Sequence, residues 1–269
     1  MPEGDTIFRA ARRLSQVLAG QELVRFELPR SAVAPTSTPR VLAVEAMGKY
    51  LVIRFDDERS LVTHMKMNGS WHVYARGEHW RKSASRALAI LETARHVAIC
   101  FDAPVVRLLP SARAARALST LGPDLLSPTP DVTEAVRRIR DAKELTLAEA
   151  LLSQSLVAGI GNEIKSEAMF LARLDPRARV CELSDADLRR VLEEARKILV
   201  LNVAPTMRGP RRTRGGKTRA WVYGRAGEAC LVCASTIARI YQGPLGARRS
   251  TYFCPACVAA SAKAAGAAG

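Results

Sequence analysis

In the stretch TIFRAARRLSQVLAG, apolar residues fall at Ile7, Ala10, Ala11, Leu14, Val17 and Leu18, and the pattern stops at Gly20. Spacings of three and four put them on one face of a helix of about four turns. The period then changes. ELVRFEL, RVLAVEAMGKYLVIRF, SLVTHMKMNGSWHVY, RALAILETARHVAICF and PVVRLL are short β-rich stretches separated by polar or glycine-containing turns. They predict an antiparallel sandwich or barrel. LGPDLLSPTP interrupts with three prolines, which puts a domain boundary at 122–131. Helical periodicity returns over 131–140, 146–156, 162–173 and 184–201, with connections at VAGIG and LDPRARVCE. AGIGNE reads as a tight turn leading directly into a helix, whose first N–H groups can grip a phosphate. RGPRRTRGGKTR, at 208–219, is basic and aperiodic, the pattern of a mobile loop that gains phosphate contacts when it faces DNA. AASAKAAGAAG is low in complexity and predicts a disordered tail.

Composition narrows the partners. The 269 residues are 48% hydrophobic, enough for a real core, and 41 Lys and Arg against 26 Asp and Glu leave a net charge of +15. Such a field draws phosphates, so nucleic acid is the expected partner. No apolar run is long enough to span a membrane, and Arg9 interrupts the early apolar stretch that a secretory signal needs. The expected setting is therefore cytoplasmic, in a cytosol or on a nucleoid. Lysines are scarce, 8 against 33 arginines, so each can be weighed individually.

Four of the six cysteines form CLVC and CPAC, that is Cys230, Cys233, Cys254 and Cys257. Two close pairs about twenty residues apart match a zinc ribbon, in which each pair gives two thiolates to one tetrahedral ion. Four protein ligands close the site, so the expected Zn2+ is structural. Cys100 and Cys181 stand alone and read as small buried hydrophobes.

PEGDT, GKYLVIRF, HMKMNG, LGPDLL, GIGNEIKSEAMF, WVYGRAGEACLVC and RSTYFCPAC occur in this order and cover almost all of the chain apart from the tail. Together they resemble the Fpg/Nei family of base-excision repair DNA glycosylases, nearer to the endonuclease VIII branch. The resemblance implies an α+β multidomain fold: an N-terminal β-sandwich with a leading helix at 1–124, a helix–two-turn–helix domain at 131–207, a four-cysteine zinc finger at 220–260, and the tail at 261–269. It implies a bifunctional glycosylase and AP lyase acting, as a monomer, on damaged double-stranded DNA, with single-stranded and abasic DNA as further substrates. Removal of Met1 would expose the secondary amine of Pro2, and an α-amino group titrates near pH 8, so a useful fraction is nucleophilic at neutral pH. Glu3 matches the family's general acid and base, and Lys49 matches a lysine on a sandwich strand that contacts DNA near the lesion. Asn162 and Arg249 match residues that clamp phosphates around an extruded nucleotide. Met67, apolar and on a turn, matches the residue that fills the gap left in the duplex. Two features depart from the pattern. Thr6 stands where many members have a glutamate, and CFDAPVVRLLPSARAARAL lacks the Arg-x-Phe arrangement with which the Fpg branch reads the base opposite 8-oxoguanine. The second departure points to oxidised pyrimidines. An 8-oxoguanine or formamidopyrimidine glycosylase and a non-catalytic damage-binding protein remain as alternatives, and a zinc-dependent transcription regulator lacks a candidate recognition helix.

Overall fold

A computed structural model describes residues 2–30, 35, 37–204 and 220–266, with side chains as far as 260. The basic segment 208–219 lies outside the described residues. Two compact units divide the chain, residues 1–120 and 121–269.

The first unit opens with α1 (Gly4–Leu18), which buries Ile7, Ala11, Leu14 and Leu18. Glu3 is its N-cap residue, and the Glu3 carbonyl accepts the N–H groups of Thr6 and Ile7 at 3.0 and 3.1 Å. Gly4 and Asp5 thus belong to the helix. Eight strands follow: β1 (Arg25–Glu27), β2 (Val41–Met47), β3 (Tyr50–Phe55), β4 (Arg59–His64), β5 (Ser70–Ala75), β6 (Ala87–Glu92), β7 (His96–Phe101) and β8 (Val105–Pro110). They form two four-stranded sheets, ordered β1-β6-β7-β5 and β2-β3-β4-β8, with every pairing antiparallel. Of the two readings left open by the strand pattern, the fold is the sandwich. Leu51, Ile53, Phe55 and Leu61 from one sheet share a core with Leu91 and Cys100 from the other, and α1 adds its apolar face. Strand β7 is apolar at consecutive positions because both its faces are covered: Ala98 and Cys100 look into the sandwich, while Val97, Ile99 and Phe101 form a second cluster packed by Trp80. Fully burying one such large side chain is worth roughly 1.5–3 kcal/mol. An exposed ion pair contributes about 0–1 kcal/mol, so this apolar pattern, and not the many surface Arg–carboxylate pairs, sets the architecture. Helix α2 (Ser111–Leu118) closes the unit, burying Ala114 and Leu118; the sequence reading assigned it no helix.

The second unit contains α3 (Val132–Asp141), α4 (Leu147–Leu152), α5 (Asn162–Leu171) and α6 (Asp185–Val203) around Leu125, Ile139, Leu151, Ile160 and Leu192. Thr146 and Ser184 start α4 and α6 with capping boxes to Glu149 and Asp187. Helix α4 stops four residues short of the 156 its periodicity predicts. From Ser153 the chain turns back, and Leu156 and Val157 pack from a loop. A hairpin of β9 (Ala238–Gln242) and β10 (Arg249–Phe253) leads to α7 (Pro255–Gly266). The alanine-rich segment expected to be a disordered tail therefore continues a helix as far as Gly266; alanine is the best helix former. Cys100 is buried as expected, but Cys181 is exposed, in a short 3₁₀ turn on the surface.

Candidate active site and metal centre

Pro2 is half-buried at the head of α1, and Glu3 beside it is only 4% exposed. Glutamates are rarely this buried. Asp5 in the first turn is also buried; its Oδ1 accepts the Thr6 N–H at 2.8 Å and its carboxylate pairs with Arg9 at 3.7 Å.

Lys49 occupies the turn Gly48–Lys49 between β2 and β3, next to β3 and not on a strand as the family pattern suggested. Gly48 has φ +59, which glycine supplies at the first central position of a two-residue hairpin. His64 ends β4 directly opposite Tyr50, their rings edge-on at 4.8 Å. The His64 Nδ1 accepts the Lys66 backbone N–H at 3.0 Å. Burial first, then the positive charges of Lys66 and Lys49, lower its pKa to about 4, so the ring is neutral. Lys49, His64 and Lys66 thus gather at one end of this sheet.

The turn after β4 separates its two methionines. Met65 is 3% exposed and packs in the sandwich, whereas Met67 is 61% exposed. Lys66 between them is left-handed, φ +48, and the Gly69 N–H closes the turn on the Met65 carbonyl at 2.8 Å. A Cβ on Gly69 would lie 2.7 Å from that oxygen and 2.9 Å from the Ala103 Cα. Only glycine fits, and the tightness of the turn is what turns Met67 outward.

In the second unit, the Gln154 side chain organises the approach to α5. Its Nε2 donates to the carbonyls of Leu152 and Ile160, and its Oε1 accepts the Gly159 N–H. Asn162, the first residue of α5, is 5% exposed, and its Nδ2 donates to Ser250 Oγ at 3.2 Å. Ser250 adjoins Arg249, which is exposed at the start of β10. The structure therefore brings Asn162 and the Arg249 segment together. Glu167, one helical turn further on, accepts the backbone N–H groups of Trp221, Val222 and Tyr223 at 2.7–2.9 Å. Burial raises its pKa, against the three N–H bonds, which lower it. Phe170 stacks on Trp221 at 5.7 Å, and both pack against the cysteine cluster. The sequence reading assigned no role to Gln154, Lys165 or Glu167; nothing marks them until the turn and hairpin are folded against α5.

The Sγ atoms of Cys230, Cys233, Cys254 and Cys257 all lie within 4.8 Å of one another. Three of the separations are 3.4, 3.6 and 3.9 Å. A tetrahedral metal with bonds of about 2.3 Å requires sulfurs about 3.8 Å apart, so the donor set fits. Burial and then the neighbouring thiols push Cys257 up to about 12. Four thiolates need a cation among them, and a divalent ion reverses that balance.

The sequence matches the Formamidopyrimidine-DNA glycosylase N-terminal domain over residues 1–104 and the Formamidopyrimidine-DNA glycosylase H2TH domain over residues 121–210. It is 40% identical over 266 residues to the probable endonuclease 8 2 of Streptomyces coelicolor, covering 97% of this chain and 95% of that protein. The chain belongs to the Fpg/Nei family. Another Fpg/Nei relative, the DNA-(apurinic or apyrimidinic site) lyase Nei2 of Mycolicibacterium smegmatis, is 37% identical over 97% of this chain and 100% of its own length. The fold is shared with Lactococcus lactis Fpg in a complex with DNA containing N7-benzyl-Fapy-dG, with a TM-score of 0.78 at 22% identity over 95% of this chain and 99% of that one. The Fpg/Nei architecture of β-sandwich, H2TH domain and C-terminal four-cysteine cluster is the one described above. Among the described residues no helix is long and apolar enough to cross a membrane.

Proposed function

We propose that this protein excises oxidised pyrimidines from DNA through an amine nucleophile at Pro2 and then cleaves the strand by β,δ-elimination. Its broader class follows from family membership: it is a DNA glycosylase and AP lyase of base excision repair, with damaged DNA as its partner. The observation that carries the finer reading is Glu3, a carboxyl 4% exposed and adjacent to a proline whose amine Met1 removal would free.

In this reading the Pro2 nitrogen attacks C1′ of the damaged nucleotide. The N-glycosidic bond breaks and the base leaves with its electron pair and a proton. Glu3 protonates the ring oxygen, opening the sugar to an iminium. That iminium is an electron sink. Loss of a C2′ proton expels the 3′-phosphate, a second proton loss expels the 5′-phosphate, and hydrolysis frees Pro2. Lys49, at the sheet end shared with neutral His64, supplies a cation for the phosphates near the lesion. Met67 enters the gap in the duplex, and Asn162 and Arg249 hold phosphates around the extruded nucleotide. The four cysteines hold Zn2+, which fixes the β9–β10 hairpin and touches no reacting atom.

Borohydride trapping tests the mechanism. Protein with Met1 removed, incubated with oligonucleotides carrying dihydrouracil, 8-oxoguanine or an abasic site, should form a covalent complex on dihydrouracil that Pro2→Gly abolishes. Trapping mainly on 8-oxoguanine would reassign the lesion, and no trapping on any substrate would leave damage binding without chemistry.

A further inference from the structure

Among the described residues, Lys165 is the one lysine that is fully buried, at 0% exposure. It lies in the first turn of α5, three residues after Asn162. There an ammonium is opposed twice, by loss of water and by the positive end of the helix macrodipole. Its Nζ donates to Asn162 Oδ1 at 2.9 Å, to Thr251 Oγ1 at 2.8 Å and to the Ser250 carbonyl at 3.3 Å. Three bonds use the full donor capacity of an ammonium. One acceptor is the proposed phosphate ligand itself; the other two immediately follow Arg249 in β10.

We propose that Lys165 is a positioning residue for DNA phosphate binding, holding the Asn162 carboxamide with its oxygen inward and pinning β10 so that Arg249 is fixed beside it. This rests on the reading of Asn162 and Arg249 as phosphate contacts. An asparagine can turn either end of its amide toward a ligand, and an acceptor oxygen facing a phosphate is repulsive. With Oδ1 committed to Lys165 and one N–H to Ser250 Oγ, the amide meets an anion only through its remaining N–H. The same contact places a full positive charge behind the binding surface, screened from water, where an incoming phosphate offsets the cost of its burial. A hydrophobic residue would fill the space at lower desolvation cost, so packing alone gives no reason for a lysine here.

The test is a double-mutant cycle of wild type, Lys165→Met, Asn162→Ala and the double variant. Metal content and thermal midpoint are recorded for each, with steady-state cleavage of a duplex carrying an abasic site. Loss of a charge-assisted contact corresponds to roughly a tenfold change in affinity. The expected result is therefore a KM raised about tenfold in Lys165→Met with kcat within about twofold and metal retained. The double variant should lose less than the product of the two single losses, since Lys165 acts in part through Asn162. If Asn162→Ala raises KM while Lys165→Met does not, or if the two losses multiply in the double variant, the inference is overturned. If Asn162→Ala itself leaves KM unchanged, the underlying phosphate reading fails instead. Should Lys165→Met lose its metal or fail to fold, Thr251→Val removes the shortest Lys165 contact at nearly constant volume. A KM raised severalfold in that variant supports the role, and an unchanged KM overturns it.

Discussion

His64 shows how the fold sets a single side chain's chemistry. Its folded pKa of about 4 lies below the ordinary 6.5 because burial and then Lys66 and Lys49 oppose its charge. Between those values the unfolded chain takes up a proton that the folded one refuses, so the His64 contribution is intact above pH 6.5 and is lost as pH falls toward 4. His64→Gln should therefore show a smaller drop in urea midpoint between pH 7 and pH 5 than wild type. The methionine turn makes two opposite predictions. Met67→Ala should change stability by less than about 0.5 kcal/mol, because the side chain is 61% exposed, yet reduce excision from duplex DNA. Gly69→Ala should cost about 1–3 kcal/mol in chemical denaturation, since its Cβ meets backbone atoms on both sides. Sequence alone named Met67 as the wedge on the strength of the resemblance. What separates it physically from Met65, left-handed Lys66 and the closed turn at Gly69, has no periodic signature.

At the scale of elements, α5 is the organising piece of the second unit. One turn of it carries Asn162 and Lys165, and the next carries Glu167, whose carboxylate gathers three N–H groups from residues 221–223. Glu167→Ala strands the buried Val222 N–H, at about 1–3 kcal/mol before relaxation, and removes the acceptor of the Trp221 and Tyr223 N–H groups. The variant should release its metal at a chelator concentration that wild type withstands, a difference readable with a chromogenic zinc indicator. Helices α1, α3 and α6 were legible because their apolar positions recur on one face, and α5 and the strands of both sheets because short runs rich in apolar residues lie between turn signals. Among the helices, α2 and α7 were not, and α4 was predicted too long. Helix α2 has only Ala114 and Leu118 to bury, too little pattern to register. Helix α4 shares its period with Leu156 and Val157, which pack from a loop, so the pattern overran the helix. Helix α7 was hidden by its low complexity, although alanine favours the conformation it adopts.

For the whole molecule, charge and metal act on different quantities. A net charge of +15 makes DNA affinity strongly dependent on salt. If five or more phosphates are neutralised, log K should fall by about 4 or more per tenfold rise in salt, and a flat profile in fluorescence anisotropy would contradict the proposed phosphate contacts. Metal loss should be confined to the second unit, because the cysteine cluster packs against Phe170, Val222 and Ile237 while the sandwich has its own core. The stacking of Phe170 on Trp221 has an optical consequence. Trp71 and Trp80 lie in the first unit and Trp221 alone lies beside the cysteines. Stripping the metal should therefore shift and quench only one tryptophan's share of the intrinsic emission. The chain thus carries its own spectroscopic gauge of whether the hairpin module is docked, readable in a cuvette without any dye or label.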